Sequence, residues 1–160
     1  MKRIFILLNM LLQKNGWGRA DYLRKNNILG HIGKNVSYRP YNLPQEAKLL
    51  HLGDNVWIAA GVRFVTHDMI NHMLYFLGEK EFDPPILHVG EIHIGNNVVI
   101  GSDSIILYGK TIGNNVIVAA GSVVTKNIPD NEVWVGGGGP ARKICSFEEF
   151  LERRKSVYSK

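Results

Sequence analysis

Between Ile94 and Pro129 a branched apolar residue returns at every sixth position, as Ile94, Ile100, Ile106, Ile112, Val118 and Val124. Each is mostly followed by a small residue (Gly95, Gly101, Gly113, Ala119), and four positions on by Val98, Ser104, Val116 or Ser122. An earlier run, Leu52, Ile58 and Phe64, lies in the same phase. A period of six is neither helical nor simply alternating, so it marks a stacked repeat architecture. A branched residue every six can point inward from each face of a three-sided coil. The small residue behind it lets the backbone pass close to the next turn, and three sixes close one coil. Gly95-Asn96-Asn97 recurs eighteen residues later as Gly113-Asn114-Asn115. That spacing puts the two at equivalent corners of successive coils, where Gly and Asn tolerate left-handed backbone angles. The pattern predicts an all-β, parallel β-helix.

The length of 160 residues suits one domain with a continuous core, and the 17 glycines suit a turn-rich solenoid. The formal charge of +5 comes from basic residues scattered along the chain and not interleaved with aromatics, so no nucleic-acid partner is expected. A single cysteine, Cys145, excludes an internal disulfide and fits a reducing, cytoplasmic setting, with the thiol as a small apolar filler. The first dozen residues imitate a signal peptide, with Lys2 and Arg3 before Ile4 to Leu8. Asn9 interrupts that run, however, and no small-residue cleavage site follows before Trp17. The segment is also too short to span a bilayer. It reads as part of a helical cap over residues 1–27, closing the open end of the solenoid, with weak interfacial membrane contact as the alternative.

Ile32-Gly33-Lys34-Asn35-Val36 looks like a first hexapeptide in a shifted phase, so the coils are placed at 28–135. Pro40, Pro44, Tyr38, Tyr41 and Asn42 suggest turns in an early coil, and Arg39 and Asn42 are candidates for touching a substrate. The repeat beginning at Phe64 then breaks the rule. Its fourth position, which holds Asn55, Gly61, Asn97, Gly109, Asn115 and Gly121 in sister repeats, holds His67. Directly afterwards the phase is lost, and Ile70 to His93 pass before it resumes. With Met73, Tyr75, Phe76, Leu77 and Phe82 this excursion is too apolar for disorder, so a protruding loop over 69–88 is expected, packing as a lid or arm on a neighbouring surface. His67 and His72 are five apart, as are His88 and His93, which makes a tris-histidine zinc site a rival. The two pairs do not occupy matching repeat positions, so no metal is expected, and His31, His51 and His93 read as ordinary exterior residues.

After the regular run come Ala119-Ala120-Gly121-Ser122-Val123-Val124-Thr125-Lys126-Asn127-Ile128-Pro129, a glycine run, and Gly139-Pro140-Ala141-Arg142-Lys143-Ile144. Over about Ile28 to Cys145 the chain resembles the left-handed β-helix, hexapeptide-repeat acyltransferases. Their last coil commonly reads A-G-S-V-V-T-K-D-I-P, followed by G-x-P-A-[KR]-x-[IV]. Within them it is most similar to the maltose, galactoside and xenobiotic O-acetyltransferases and to the sugar acetyltransferases of polysaccharide biosynthesis. Left-handed coiling is what the resemblance implies, since the usual crossover rule gives the opposite hand.

The resemblance further implies a homotrimer with active sites between subunits, acetyl-CoA as co-substrate, and a sugar, glycan precursor or similar small molecule as acceptor. Ser102, Ala120, Thr125, Lys126 and Arg142 match the family's CoA-contacting positions. A groove of small residues suits a pantetheine arm, and Lys126, Arg142 and Lys143 suit nucleotide phosphates. The chain departs from the family where Cys145 stands in place of a second basic residue, and in the glycine run Gly136 to Gly139. His67 matches the family's catalytic histidine, a general base for direct transfer to a hydroxyl, with Asp68 and Glu91 as candidates for the carboxylate that orients it. An N-acetyltransferase of an amino-sugar nucleotide, a zinc-dependent protein like the gamma-class carbonic anhydrases and a non-catalytic scaffold are the alternatives. In the C-terminal part, 136–160, Ser146-Phe147-Glu148-Glu149 is a capping box opening a short helix to about Val157, expected to cap the last coil.

Overall fold

A computed structural model describes residues 2–84, 86–137 and 139–159; Met1, Pro85 of the excursion, Gly138 of the glycine run and Lys160 lie outside the described residues. Two helices, α1 (Lys2–Leu12) and α2 (Gly16–Lys25), precede the coils. Three parallel sheets then form the faces of a prism. The first face holds β1 (His31–Ile32), β3 (Leu50–Leu52), β8 (Ile92–Ile94) and β11 (Thr111–Ile112). The second holds β2 (Ser37–Tyr38), β4 (Val56–Ile58), β9 (Val98–Ile100), β12 (Val116–Val118) and β14 (Glu132–Val135), and ends in the antiparallel β15 (Arg142–Ser146). The third holds β5 (Arg63–Val65), β10 (Ile105–Leu107) and β13 (Val123–Val124). The chain visits the faces in rotation, so each circuit is one coil. Helices at both ends add to this strand-built body.

The in-phase residues meet inside. Leu52, Ile58, Phe64, Ile94, Ile100, Ile106, Ile112, Val118 and Val124 are all buried members of one core. The register explains the beat: His93 pairs with Thr111 and Val98 with Val116, eighteen residues on. Other coils are not that length. His31 pairs with His51, which accounts for the shifted phase of the first hexapeptide, and His51 pairs with His93 across the excursion. The corners hold the turns. Asn55, Gly61, Asn97, Gly109, Asn115 and Gly121 all take positive φ, between 54° and 75°, and Asp103 joins them at 59°. Side-chain amides there bond from coil to coil: Asn55 Nδ2 donates to Asn97 Oδ1 (2.8 Å), Asn97 Nδ2 to Asn115 Oδ1 (2.9 Å), and Asn115 Nδ2 to Asn131 Oδ1 (2.8 Å).

Helices α1 and α2 bury Met10, Ala20 and Leu23 against the first coil. Arg19 is buried among carbonyls, with Nε donating to Tyr38 O at 3.0 Å and the guanidinium 4.4 Å from the centre of the Tyr41 ring. Ile4, Phe5, Leu8, Leu11 and Leu12 of α1 stay exposed. No helix among the described residues is long and apolar enough to cross a membrane. Cys145 is buried, as expected of a filler.

The C-terminal helix α4 (Phe147–Tyr158) opens on the expected capping box, with both reciprocal Ser146–Glu149 bonds present. Its placement differs from expectation. The last strand of the second face is covered by β15, and α4 turns back beside that face, with Phe147, Phe150 and Leu151 opposite Trp57, Val99 and Ile117 across a groove. Those outward apolar side chains give the helix's apolar stripe a surface to follow.

Replacing Asn115 by Val removes two ladder bonds and puts a β-branched residue at φ 54°. Equilibrium denaturation is expected to show a loss of about 2 to 3 kcal/mol. Asn115→Gly, which keeps the turn but not the bonds, should lose about 1 kcal/mol.

Candidate active site

The third face ends abnormally at β5. Where a left-handed turn belongs, the chain continues extended into β6 (His67–Asp68), which pairs antiparallel with β7 (His88–Val89). His67 therefore does not occupy a turn corner; it forms the base of a hairpin. Between the two strands run α3 (Ile70–Phe76) and a short 3-10 turn at Lys80–Phe82. The stem is clamped at its mouth. Gly90 N–H donates to Thr66 O at 2.9 Å, and Asp68 accepts from the Tyr108 hydroxyl and from Ile70 N–H (3.0 Å).

His67 is part-buried, and its Nδ1 lies 2.8 Å from Glu46 Oε2. The same carboxylate oxygen accepts the hydroxyl of the buried Thr66. Burial pushes the Glu46 carboxyl up, but the bonds from Thr66 and His67 outweigh it and hold the group below the usual carboxylate range. An ionised carboxylate only accepts, so Nδ1 carries the hydrogen, and Nε2 is left with the free lone pair that a base requires.

Glu46 was invisible to the repeat pattern. It lies in the irregular stretch between β2 and β3, held from outside: the Arg3 guanidinium donates to the carbonyls of Leu43 (2.7 Å), Pro44 (3.1 Å) and Gln45 (3.1 Å). The two carboxylates considered for orienting His67 have other duties. Asp68 closes the hairpin, and Glu91 binds His93 Nε2 at 2.8 Å. The histidines considered for a zinc site are also dispersed: His67 meets Glu46, the His88 ring packs edge-on against Tyr108, and the His93 ring stacks on His51.

The remaining candidates fall on two corners. By register Thr125 and Lys126 stand at the end of the third face, level with Val65 and Thr66, beside the place where the chain leaves the coil at His67. Arg39, Ser102 and Ala120 line a cleft of about 600 Å³ at the corner after the second face, together with Gly101, Trp17 and Trp57. A Cβ on Gly101 would sit 2.3 Å from Ala120 N of the next coil, so only glycine lets the two coils stack this closely beside the cleft. The two indoles meet edge-to-face, with centroids 5.7 Å apart. Trp57 could have been noticed in the sequence as a large aromatic at an outward position of its hexapeptide. Arg142 is exposed on β15. Lys143 is paired with Glu132 at 2.8 Å, which gives its charge a partner within the chain. Asn42 lies outside the cleft, and its carbonyl accepts the Tyr38 hydroxyl at 2.8 Å.

The imidazole–carboxylate pair and the cleft sit on a three-faced solenoid of six-residue rungs, the form of the hexapeptide-repeat acyltransferases. The family profile described as hexapeptide repeat of succinyl-transferase matches residues 91–126. Protein CapG of Staphylococcus aureus is 41% identical over 151 residues, covering 94% of this chain and 81% of that one. The galactoside O-acetyltransferase of Escherichia coli strain K12 is 42% identical over 132 residues, or 81% of this chain and 59% of that one. A crystal structure of a maltose O-acetyltransferase from Clostridium difficile 630 superposes with a TM-score of 0.64 at 31% identity, covering 90% of this chain and 85% of that one. The chain belongs to the hexapeptide-repeat acetyltransferase family and is an acyltransferase.

Because the folded Glu46 carboxyl lies below its unfolded value, its contribution to stability is complete above the unfolded pKa and fades as pH falls through the folded one. Thr66→Val removes one of the bonds that lower it while leaving the burial that raises it. Carbon-detected NMR titration of Glu46 should show its midpoint move up in that variant.

Proposed function

We propose that this acyltransferase transfers an acetyl group from acetyl-CoA to a hydroxyl of a sugar or glycan precursor, with His67 as general base and Glu46 as the carboxylate that positions it. The single observation that carries the reading is the 2.8 Å contact between His67 Nδ1 and Glu46, which leaves Nε2 as the basic atom. The named activities of the galactoside and maltose relatives support an oxygen acceptor on a sugar.

His67 Nε2 removes the acceptor's hydroxyl proton as that oxygen attacks the thioester carbonyl. Backbone N–H groups steady the negative charge that develops on the carbonyl oxygen. The carbon–sulfur bond then breaks, the departing thiolate takes the proton back from the imidazolium, and the products are an O-acetyl ester and free CoA thiol. Glu46 stays ionised throughout and stabilises the transient imidazolium. No covalent enzyme intermediate is needed.

In the donor site the bare wall of Gly101, Ser102 and Ala120 suits a thin pantetheine arm, while Thr125, Lys126 and Arg142 suit its polar and nucleotide end. Arg39, at the cleft rim, serves an anionic or hydroxylated ligand. The donor cleft and His67 stand on different corners of one chain, which supports a left-handed homotrimer whose subunits complete each other's sites. We assign the whole chain to one catalytic domain, with the hairpin at 69–88 reaching toward the neighbour and the cytoplasm as its place of work.

Thiol release from acetyl-CoA, followed against a panel of sugars, nucleotide sugars, amino sugars and chloramphenicol-like alcohols, tests the proposal. His67→Ala should lose about 10²- to 10⁴-fold in kcat with the trimer intact by sedimentation. Glu46→Gln should lower kcat by about tenfold or more with KM little changed. Full turnover by His67→Ala, or acylation confined to the amino sugars, would overturn the base or the acceptor class respectively.

A further inference from the structure

The first face carries a column of outward side chains that acyl transfer does not use. Register places His31, His51 and His93 in successive coils. The rings of His51 and His93 stack with centroids 4.6 Å apart and planes 11° from parallel. Glu91 reaches both: Oε2 is 2.8 Å from His93 Nε2, and Oε1 is 3.9 Å from His51 Nε2. One donor atom from each of the three residues lies within 4.8 Å of the other two. His51 Nε2 is shielded from solvent and has no hydrogen-bond partner among the described residues.

We propose that His51, Glu91 and His93 bind a divalent transition-metal ion of the zinc class. Two imidazoles and one carboxylate are the borderline nitrogen and oxygen donors such ions select, and three protein ligands leave a position for water. Metal–ligand bonds of about 2.0 to 2.2 Å put tetrahedral ligands roughly 3.5 Å apart, so small rotations of the three side chains, tilting the stacked rings out of parallel, close the site. The ion also accounts for the orphaned nitrogen. A hydrogen bond donated by His93 to Glu91 satisfies His93 alone and leaves a shielded His51 Nε2 unpaired, at a cost that binding an ion removes.

The position suggests what the ion does. β3 precedes the hairpin excursion and β8 follows it, so an ion held by His51 from one and by His93 and Glu91 from the other side fastens the coil before the break to the coil after it. It is a brace outside the acyl-transfer site, and it stands or falls independently of the proposed reaction.

The test uses untagged, full-length protein stripped with a chelator and titrated with zinc chloride in a calorimeter, alongside thermal melts with and without the metal. One ion per chain and a higher melting temperature with zinc are expected. Glu91→Gln and His93→Ala should each bind about tenfold or more weakly. Glu91→Gln keeps the stacked rings, so its metal-free melting temperature should match that of the parent and separate lost binding from lost folding. His67→Ala should bind as the parent does. Failure to bind one ion per chain, binding unchanged in both Glu91→Gln and His93→Ala, or binding lost in His67→Ala would each overturn the proposal.

Discussion

The coils are held in step by amide side chains bonded to their counterparts one coil away. The chain of bonds from Asn55 through Asn97 and Asn115 to Asn131 runs along one corner. Beside it a second series takes backbone N–H groups onto the preceding position of the next coil: Lys34 on Asp54, Asp54 on Asn96, Asn96 on Asn114, and Asn114 on Asp130. The left-handed backbone at each fourth position aims these side chains along the prism axis. Asn55, Asn97 and Asn115 each precede a buried valine, Val56, Val98 or Val116, so one register satisfies core and corner together. A slip by one residue would break both.

The reactive corner depends on breaking the coil at the end of the third face while the amide series on another corner stays continuous, Asn55 still reaching Asn97 across the excursion. At His67 the backbone leaves the turn conformation, and the excursion is tied off by Gly90 on Thr66 and by Tyr108 on Asp68, so the third face resumes one coil later in register. The imidazole is then oriented from the other side by a segment that belongs to no repeat. Arg3 of the first helix grips the three carbonyls before Glu46, which makes the N-terminal cap part of the support for the base.

Legibility in the sequence followed the same division. Inward residues, left-handed corners, the capping box at Ser146 and the break at His67 were readable, because each is a local pattern or a departure from one. Glu46 was not, since its relation to His67 exists only once two non-repeating segments are folded together; Asp68 and Glu91 were nearer in sequence to the histidine or the resumption of the repeat, and both are engaged elsewhere. The helix α4 was expected over the last coil because its sequence reports an amphipathic stripe without saying which surface the stripe follows. Lys143 looked like a free cation until Glu132, eleven residues earlier, was brought opposite it. His31, His51 and His93 read as ordinary exterior residues because the repeat constrains only its inward positions: His51 and His93 share the six-residue phase, and His31, 20 residues before His51, does not.

The direction of β15 has a consequence for the life of the protein in a crowded solution. A parallel solenoid that stopped on a bare strand would offer its final rung as a template, and another molecule could add a rung in the same sense, then another, as fibrils grow. On the second face that rung is occupied by a strand running the opposite way, with its register shifted between Val133 and Trp134. A newcomer on this face meets reversed polarity and an irregular edge, so the stacking that builds the molecule is discouraged from continuing into a filament.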